Sequence, residues 1–450
     1  MKRQSKLIIA LGVLAAFICG YFVVSHFTQE EDASGAEAQE IIIAQMEPEQ
    51  IEKLDFTYQE QEISLYKTED GQWQVANAQE FPLDSDKVNA MTAAFEAVTA
   101  ARKVSEDASH QSDFGLNTPQ CTIRASTADS TVTLCLGDYN QNTDSYYVCL
   151  ADSAVSYLTD STLADLFCVS LNSLIALDSW ESPSTANITR VEINGLTLQN
   201  YPEGNPDYYL DSQTWFIQTD GEKAIAADAE AVSTLLSSLA SLSYSGCAAY
   251  NFTEADKVAY GLDTPSYTVS VNYTEQTEDS ESETEKVLVF YIGNACEDGG
   301  YYVLRQGASM ICTMTSTTLS SVLSASTAEL RDDTVFAMSL ETVSSAQLIT
   351  QAGSVTIDAD DGNEHESFQT FFSALTELTA EGQAASQENS GTAPALTAIF
   401  IRNTENFAEM TFGLYEYDTN FYRVIFNGRS DLLIGKRAAE KLISLAEPAN

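Results

Sequence analysis

A six-residue motif occurs twice in the chain and limits the folds that the chain can adopt. Phe-Gly-Leu-Asn-Thr-Pro at residues 114–119 returns as Tyr-Gly-Leu-Asp-Thr-Pro at residues 260–265, and each copy leads into a strand-like segment. Glycine tolerates a positive φ, and Asn or Asp closes a local side-chain turn. Proline fixes its own φ and can begin a strand, where no ladder donor is needed. The motif therefore predicts a turn that enters a strand, and its repetition predicts a duplicated domain.

Apolar residues at helical spacing accompany the motif and predict a series of related units. Intervals of three, four and three residues occur at Val88, Met91, Phe95 and Val98, at Val232, Leu235, Leu239 and Leu242, and at Phe368, Phe371, Leu375 and Leu378. Strand-like segments flank each helix. We predict an α+β fold of tandem repeated units, each with mostly antiparallel sheet and two helices. The first unit is 49–180, the second 187–335 and a degenerate third 341–450. Whether the third unit packs against the second stays open.

The N-terminal segment predicts one transmembrane helix ahead of the repeats. Residues 7–24 are an uninterrupted apolar stretch preceded by Lys2, Arg3 and Lys6. This charge asymmetry favours a cytoplasmic N-terminus at 1–6, a signal anchor at 7–24, an acidic linker at 25–48 and an extracytoplasmic remainder. A cleaved signal peptide is the alternative, but no convincing small-x-small site follows. A lipoprotein site at Cys19 is disfavoured by the bulky Ile18 before it.

The charge of the chain excludes one class of partner. The formal net charge is −45, and 18 of the 21 basic residues lie beyond position 25 together with all 66 acidic ones. Nucleic acids are bound through Lys and Arg, so this surface repels them. A hydrophobic content of 44% and an aromatic content of 10% are typical of a folded protein. Cationic ligands and basic partner surfaces remain compatible with the charge.

The eight cysteines show no metal-binding or thioredoxin-like spacing. They are Cys19, Cys121, Cys135, Cys149, Cys168, Cys247, Cys296 and Cys312. Cys121, Cys135 and Cys149 fall in strand-like segments, where a free cysteine acts as a small hydrophobe. We favour buried thiols over a disulfide framework, which leaves the redox state of the seven ectodomain cysteines undetermined.

Two acidic segments are candidates for cation binding. The cluster Asp358, Asp360, Asp361, Asn363, Glu364, His365 and Glu366 begins like a calcium loop, but Gly362 occupies the third ligand position. A turn that caps the following helix explains the same residues. The stretch 275–285 contains six acids and no apolar residue, which is typical of a solvated loop. We predict no metal site and no cofactor.

Three further patterns are weaker candidates for a site. Adjacent tyrosines at 146–147 and 301–302 could stack on sugars, but their equivalent positions favour strand packing, with one ring in the core and one outside. Ser64 and Lys67 match S-x-x-K, which requires a helix, whereas their segment alternates as a strand. The histidines His26, His110 and His365 are far apart in the sequence. We predict no catalytic residue.

The combination of anchor, helix spacing and repeated motif resembles the domain-of-unknown-function 4340 (DUF4340) family of bacterial envelope proteins. The matching segments are 114–119, 136–138, 146–148, 260–265, 292–294 and 301–303, and the resemblance covers about 49–335. It implies a single-span protein, often encoded beside ABC-type transporters and gliding-motility-like components, with an accessory role and no established catalytic residues.

These observations favour a non-enzymatic accessory or scaffold subunit of an envelope complex. The expected partners are the membrane, through a single span, and subunits of an ABC-type transporter. The alternative is an extracytoplasmic binding module for cell-wall glycan or a cation, which the tyrosines and the acidity suggest. An envelope hydrolase ranks third, because it would need a pocket with two carboxylates, one of raised pKa.

Overall fold

A computed structural model describes residues 40–180, 182–210, 212–218, 224–276, 283–358, 365–384, 393–427 and 429–448. The chain divides into two compact units, with Ala176 ending the first and Leu177 beginning the second.

The first unit contains, in its described residues, an eight-stranded and a two-stranded sheet. Its strands are β1 (Ile41–Ala44), β2 (Lys53–Tyr58), β3 (Gln61–Lys67), β4 (Trp73–Val75), β5 (Val98–Ala100), β6 (Arg102–Ser105), β7 (Cys121–Ser126), β8 (Thr131–Asn140), β9 (Ser145–Leu150) and β10 (Ser156–Thr159). Its helices are α1 (Ser85–Ala93) and α2 (Thr162–Phe167). The large sheet has the order β4-β3-β2-β7-β8-β9-β10-β6, and β1 pairs with β5. All of these pairings are antiparallel.

Both helices of the first unit pack on one face of its large sheet. Alternate strand residues such as Phe56 and Ile123 are buried, because successive side chains of a strand point to opposite faces. The ring of Phe167 at the end of α2 meets Phe56 edge-on at 5.6 Å and Phe95 at 6.1 Å. The core of the first unit therefore lies between this face and the helices.

The first helix is shorter than its apolar spacing predicts. Val88 and Met91 are buried on α1, but α1 ends at Ala93. Phe95 lies in the following turn, and Val98 begins β5, which pairs with β1. Phe95 and Val98 are buried as predicted, but the pairing of β5 ends the helical period early.

The second unit contains two more sheets in its described residues. Its strands are β11 (Ile188–Ile193), β12 (Leu196–Asn200), β13 (Trp215–Gln218), β14 (Ile225–Ala226), β15 (Gly246–Tyr250), β16 (Tyr267–Gln276), β17 (Glu283–Ala295), β18 (Tyr301–Arg305), β19 (Met310–Met314), β20 (Val343–Thr350), β21 (Gly353–Asp358), β22 (Gly382–Gln383), β23 (Leu396–Arg402), β24 (Glu409–Glu416), β25 (Phe421–Phe426) and β26 (Arg429–Gly435). Its helices are α3 (Ala229–Ala240), α4 (Glu254–Ala259), α5 (Ser320–Ser324), α6 (Thr327–Leu330), α7 (His365–Thr376) and α8 (Lys436–Ala446).

The three large sheets share one connectivity. The second sheet has the order β14-β13-β12-β11-β16-β17-β18-β19-β15, and the third has β21-β20-β23-β24-β25-β26-β22. In each sheet a first hairpin is followed by a helix, and the chain then adds four consecutive strands beside the first strand. A strand between the helix and these four strands closes the far edge, as β6, β15 and β22. The mostly antiparallel tandem architecture predicted from the sequence is therefore confirmed.

The second sheet is accompanied by more helices than the two that we predicted. Four α-helices, α3 to α6, occur in its described residues. Thr253 and Asp256 form a reciprocal capping box at the start of α4, and Ser326 caps α6. The segment of the first unit that corresponds to α4 is a 3-10 helix over Ala108–Phe114. The two equivalent segments therefore differ in helix type, although Asp107 also caps the 3-10 helix by accepting from the N–H of Ser109.

One segment between β12 and β13 joins the second sheet to the core of the third. Tyr209 is 8% exposed and belongs to the third core, where its ring meets Phe426 edge-on at 5.3 Å and Phe407 at 6.5 Å. Its neighbour Tyr208 meets Phe216 of β13 at 5.1 Å. We call this pair the tyrosine plug (Tyr208 and Tyr209). It shows that the second and third repeats are in contact, which the sequence alone did not decide. A segment of the second repeat packs into the core of the third.

Charged groups on the connection between these sheets reinforce the plug. The Arg331 side chain is 7% exposed, and its Nε donates to Asp333 at 2.6 Å. Arg429 of β26 donates through Nη1 to the carbonyl oxygen of Asp332 at 2.6 Å. Phe336 follows on the same connection and packs on Phe426 at 4.8 Å. Apolar burial and charge-assisted hydrogen bonds thus hold the connection against the third sheet.

Candidate functional site

The repeated motif ends a helical segment in both copies. Gly115 and Gly261 have φ values of 69° and 70°, in the left-handed region that favours glycine. The N–H of Leu116 donates to the carbonyl of Gln111 at 2.9 Å, and that of Leu262 donates to the carbonyl of Lys257 at 2.7 Å. This bond across five residues is the Schellman closure of a helix C-terminus. The motif is therefore a helix stop that leads into β7 or β16.

The motif rests directly on a second glycine in the neighbouring strand. A Cβ on Gly137 of β8 would lie 2.2 Å from the carbonyl oxygen of Phe114, and one on Gly293 of β17 would lie 2.2 Å from that of Tyr260. No side chain fits at that separation. The N–H of Asn294 also donates to the Tyr260 carbonyl at 2.8 Å. We call this contact, of 114–116 on Gly137 and of 260–262 on Gly293, the motif dock.

The motif dock explains why the third sheet lacks the motif. Leu414 of β24 pairs with Val424, as Leu136 pairs with Val148 in the first sheet. Tyr415 therefore takes the position of Gly137. A tyrosine there leaves no room for a chain segment in direct contact with the strand, which matches the absence of the Gly-Leu pair from the third repeat. The sequence showed both glycine motifs but not that they touch.

The tyrosine pairs are held in place by the motif. Tyr147 stacks on Phe114 at 4.5 Å and 19°, and Tyr302 contacts Tyr260 at 4.4 Å. The first residue of the motif is thus an aromatic clamp for the second tyrosine of each pair. Tyr301 and its equivalent Tyr146 point to the opposite face, as alternation requires, but all four rings are half-buried. The prediction was right that the two rings of each pair lie on opposite faces of the sheet. It was wrong that one ring of each pair is fully buried in the core.

The remaining sequence candidates do not converge on one site in the described residues. The acidic cluster is described only at Asp358 and, beyond residue 364, at the start of α7; 359–364 and 277–282 lie outside the described residues. Ser64 lies on β3, as expected, and donates to Asp55 at 2.6 Å, while Lys67 donates to the carbonyl of Glu49 at 3.3 Å. They therefore engage separate partners.

The histidines add no further constellation. His110 is exposed, and its Nδ1 lies 3.3 Å from the Ser105 hydroxyl. His26 and the side chain of His365 lie outside the described residues. Within the part of the chain that the structure describes, no three His, Cys, Asp or Glu side chains are grouped so that they could hold a metal ion.

The described cysteines are all thiols, and their surroundings differ. Cys121, Cys149 and Cys312 are buried, and the other four are half-buried. Burial raises the pKa of the Cys312 thiol to about 12. A hydrogen bond from the Cys149 thiol lowers the pKa of Cys135 to about 7, because it stabilises the thiolate. Buried thiols were expected for these strands. That cysteines lie side by side was not.

One cavity of the third sheet lies on the face away from its helices. Its volume is about 320 Å³, and its lining includes Thr397, Glu409, Thr411, Gly413 and Tyr415. These residues point away from the core because they alternate with the buried residues of β23 and β24. The Tyr415 ring lies over Gly413, 3.0 Å from where a Cβ would stand. A ring beside hydroxyl and carboxylate groups gives this outer face both stacking and hydrogen-bonding capacity.

A second cavity lies between helices of the second sheet. It has a volume of about 350 Å³ and lies between α3 and α5–α6, where Glu230, Thr234, Ser321 and Glu329 line it. Asp228 also lines it, but its carboxylate accepts a hydrogen bond from the N–H of Ala231 at 2.7 Å as the cap of α3. The acidic groups here therefore serve at least in part to cap a helix.

The fold defines a tandem-repeat α+β protein in which one antiparallel sheet recurs and the motif dock recurs with it. The chain belongs to the family described as Domain of unknown function (DUF4340), whose model matches residues 73–215 and 215–396 in succession. The two matches begin at Trp73 of β4 and Trp215 of β13, which are equivalent strands. The resemblance inferred from the motifs is confirmed. No curated protein and no solved structure gives a significant match.

The anchor predicted at 7–24 lies outside the described residues. Among the residues that the structure describes, no helix is both long enough and apolar enough to cross a membrane.

Proposed function

We propose that the chain is a membrane-anchored, extracytoplasmic and non-enzymatic scaffold subunit of an envelope complex that serves an ABC-type transporter. The observation that carries this proposal is the tyrosine plug. It packs a segment of the second repeat into the core of the third, and we propose that this contact holds the outer faces of the two repeats in a fixed arrangement. A rigid spacing of similar surfaces favours the docking of a partner over the opening and closing of an active site.

The outer face of the third sheet supports a protein partner. Ile349 and Ile401 are exposed there, at 37% and 39%, beside the cavity over Gly413. Exposed apolar side chains surrounded by polar groups are typical of interaction surfaces. The chain has 66 acidic and 21 basic residues. Its negative charge favours a partner with a basic surface, because opposite charges attract each other before the surfaces touch.

Crosslinking in native membranes tests this proposal. Mild crosslinking of the full chain, followed by purification and mass spectrometry, is expected to recover permease or ATPase subunits of a transporter repeatedly. Ile401→Glu, on the outer face, should reduce that recovery about tenfold, because one buried charge costs at least about 1.4 kcal/mol of binding. Val258→Glu is the matched control, since Val258 is 61% exposed on α4. Recovery of nothing, or equal recovery with both variants, would count against the scaffold.

The same outer face gives the alternative of glycan binding its one specific support. Tyr415 and the hydroxyl groups of Thr397 and Thr411 line the cavity together. Sugars bind to aromatic faces flanked by such hydrogen-bonding groups. Titration of the full chain in detergent with soluble wall fragments tests this function. Binding that Tyr415→Ala abolishes would favour the glycan module, and no binding at millimolar concentrations would eliminate it.

A further inference from the structure

Six of the seven described cysteines lie beside another cysteine. Cys135 of β8 is directly opposite Cys149 of β9 in the antiparallel register, and Cys247 of β15 is directly opposite Cys312 of β19. Opposite residues of antiparallel strands have Cα atoms about 4.5–5.5 Å apart and side chains on the same face. Disulfides need a Cα separation of about 4.4–6.8 Å. Both strand pairs therefore meet the main geometric condition for a disulfide.

The third pair joins a strand to the end of a helix. The Cys121 thiol at the start of β7 donates to the carbonyl of Phe167 at 3.6 Å, and Cys168 is the next residue. The Cys168 sulfur is a second acceptor for the Cys121 thiol, and the Cys135 sulfur accepts from the Cys149 thiol. Thiols in hydrogen-bond contact need only small side-chain rotations to become linked.

Comparison of the first and second sheets shows that both cysteines of a pair are present in one sheet and that neither is present at the equivalent positions of the other. Because Leu136 pairs with Val148 as Ile292 pairs with Val303, the positions of Cys135 and Cys149 are those of Tyr291 and Leu304 in the second sheet. Neither position there holds a cysteine.

For the other two pairs as well, neither equivalent position of the other sheet holds a cysteine. Tyr267 takes the place of Cys121 and donates from its hydroxyl to Leu323 at 3.2 Å, as Cys121 does to Phe167, so Ser324 takes the place of Cys168. Conversely, Cys247 and Cys312 of the second sheet are equivalent to Lys103 and Tyr157 of the first sheet. A small buried hydrophobe can be replaced singly, whereas a disulfide requires both of its cysteines.

We infer that Cys121–Cys168, Cys135–Cys149 and Cys247–Cys312 form three disulfides when the chain is exposed to an oxidising compartment, and that Cys296 stays a free thiol. Each bond forms when one thiolate attacks the disulfide of a thiol–disulfide oxidoreductase and the second thiolate displaces that enzyme. The pair loses two protons and two electrons, and the enzyme's disulfide is reduced to two thiols. No other cysteine of the described strands is paired with Cys296, and its sulfur accepts a hydrogen bond from the Tyr302 hydroxyl.

This inference rests on the proposed envelope location, and one experiment in two arms separates the two ideas. In the first arm, cells are lysed directly into denaturant with N-ethylmaleimide, which blocks buried and exposed thiols alike, and the full chain is purified and digested without reduction. Mass spectrometry is expected to find the three linked peptides and a labelled Cys296. In the second arm, the reduced full chain in detergent is oxidised with oxidised glutathione and a disulfide isomerase.

The outcomes of the two arms are distinct. The three predicted links in both arms support the inference. Labels on all six paired cysteines in cells, together with the three links after oxidation in vitro, support the pairing and contradict the envelope location. Other pairings, or six thiols that resist oxidation in vitro, overturn the inference itself.

Variants give an independent check. In Cys149→Ser, Cys135 should carry the label while the other two links persist. Cys296→Ser, the matched control, should leave all three links in place. Loss of all links in Cys296→Ser would contradict the assigned pairs.

Discussion

Removal of the tyrosine plug should destabilise the third sheet. Tyr209 is 8% exposed, and it lies between the second sheet and the third core. A buried aromatic side chain removes roughly 150–250 Å² from water, which at about 25 cal/mol per Å² corresponds to about 4–6 kcal/mol. Truncation of buried aromatic residues to alanine costs about 3–5 kcal/mol in practice. We expect Tyr209→Ala to lower the free energy of unfolding of the third sheet by about 3–5 kcal/mol.

Tyr209→Phe is the matched variant, because it keeps the ring and removes the hydroxyl. That hydroxyl accepts a hydrogen bond from the main-chain N–H of Ala337 and donates one to the Tyr208 hydroxyl. We expect a loss of about 1–3 kcal/mol, because each hydrogen bond has a net value of about 0.5–1.5 kcal/mol. Tyr139→Ala serves as a surface control, since Tyr139 is 45% exposed, and should cost about 1 kcal/mol or less.

Hydrogen exchange of the full chain, read by mass spectrometry, measures these changes at each strand. A loss of 3–5 kcal/mol should speed exchange in β23 to β26 by roughly 100- to 5,000-fold, because each 1.4 kcal/mol is a factor of ten. If Tyr209→Ala exchanges in these strands as the wild-type chain does, the plug does not hold the third sheet and the reasoning is refuted.

Three further predictions address the motif dock, the thiols and a helix cap. Gly293→Ala should lower the free energy of unfolding by about 2–3 kcal/mol, because its Cβ would overlap a carbonyl oxygen. Gly382→Ala, whose Cβ would have no atom closer than 3.8 Å, should leave the free energy of unfolding nearly unchanged. Urea unfolding of both variants tests this difference. In the reduced chain, one thiol of Cys135–Cys149 should react with iodoacetamide near pH 7, and equal slow alkylation of both would contradict the lowered pKa. The Asp256 carboxylate has a lowered pKa because the Thr253 backbone N–H and hydroxyl donate to it. Its stabilisation of α4 is therefore present above the ordinary Asp pKa of about 3.9 and lost as pH falls through the folded value. Exchange in α4 should rise in that acidic range in the wild type but not in Asp256→Asn.

The sequence predicts those parts of the fold that depend on local pattern. The strands around the motif, the three helices with apolar spacing and the order of the repeats follow from periodicity and turn chemistry. The end of α1 does not, since Val98 leaves the helical pattern to pair with a strand formed some fifty residues earlier. Long-range pairing of this kind has no local signature.

The contacts that distinguish the site also depend on long-range packing. Tyr208 and Tyr209 lie in a stretch without periodicity, and nothing near them in the sequence indicates that one ring reaches the third core. The same holds for Cys121 and Cys168, which are far apart in the sequence and meet only because α2 returns to the start of β7. The glycines of the motif dock were visible as motifs, but the 2.2 Å approach that requires them was not.

The central claim is that the repeats lie outside the cytoplasm, since both the scaffold and the three disulfides depend on it. Labelling of intact cells and of lysed cells with a membrane-impermeant amine reagent tests it directly. The exposed Lys103 and Lys53 report on the first sheet. In cells with a permeabilised outer barrier and an intact cytoplasmic membrane, we expect both lysines to be labelled to the same extent as after lysis. Labelling only after lysis would place the repeats inside the cell and contradict the account.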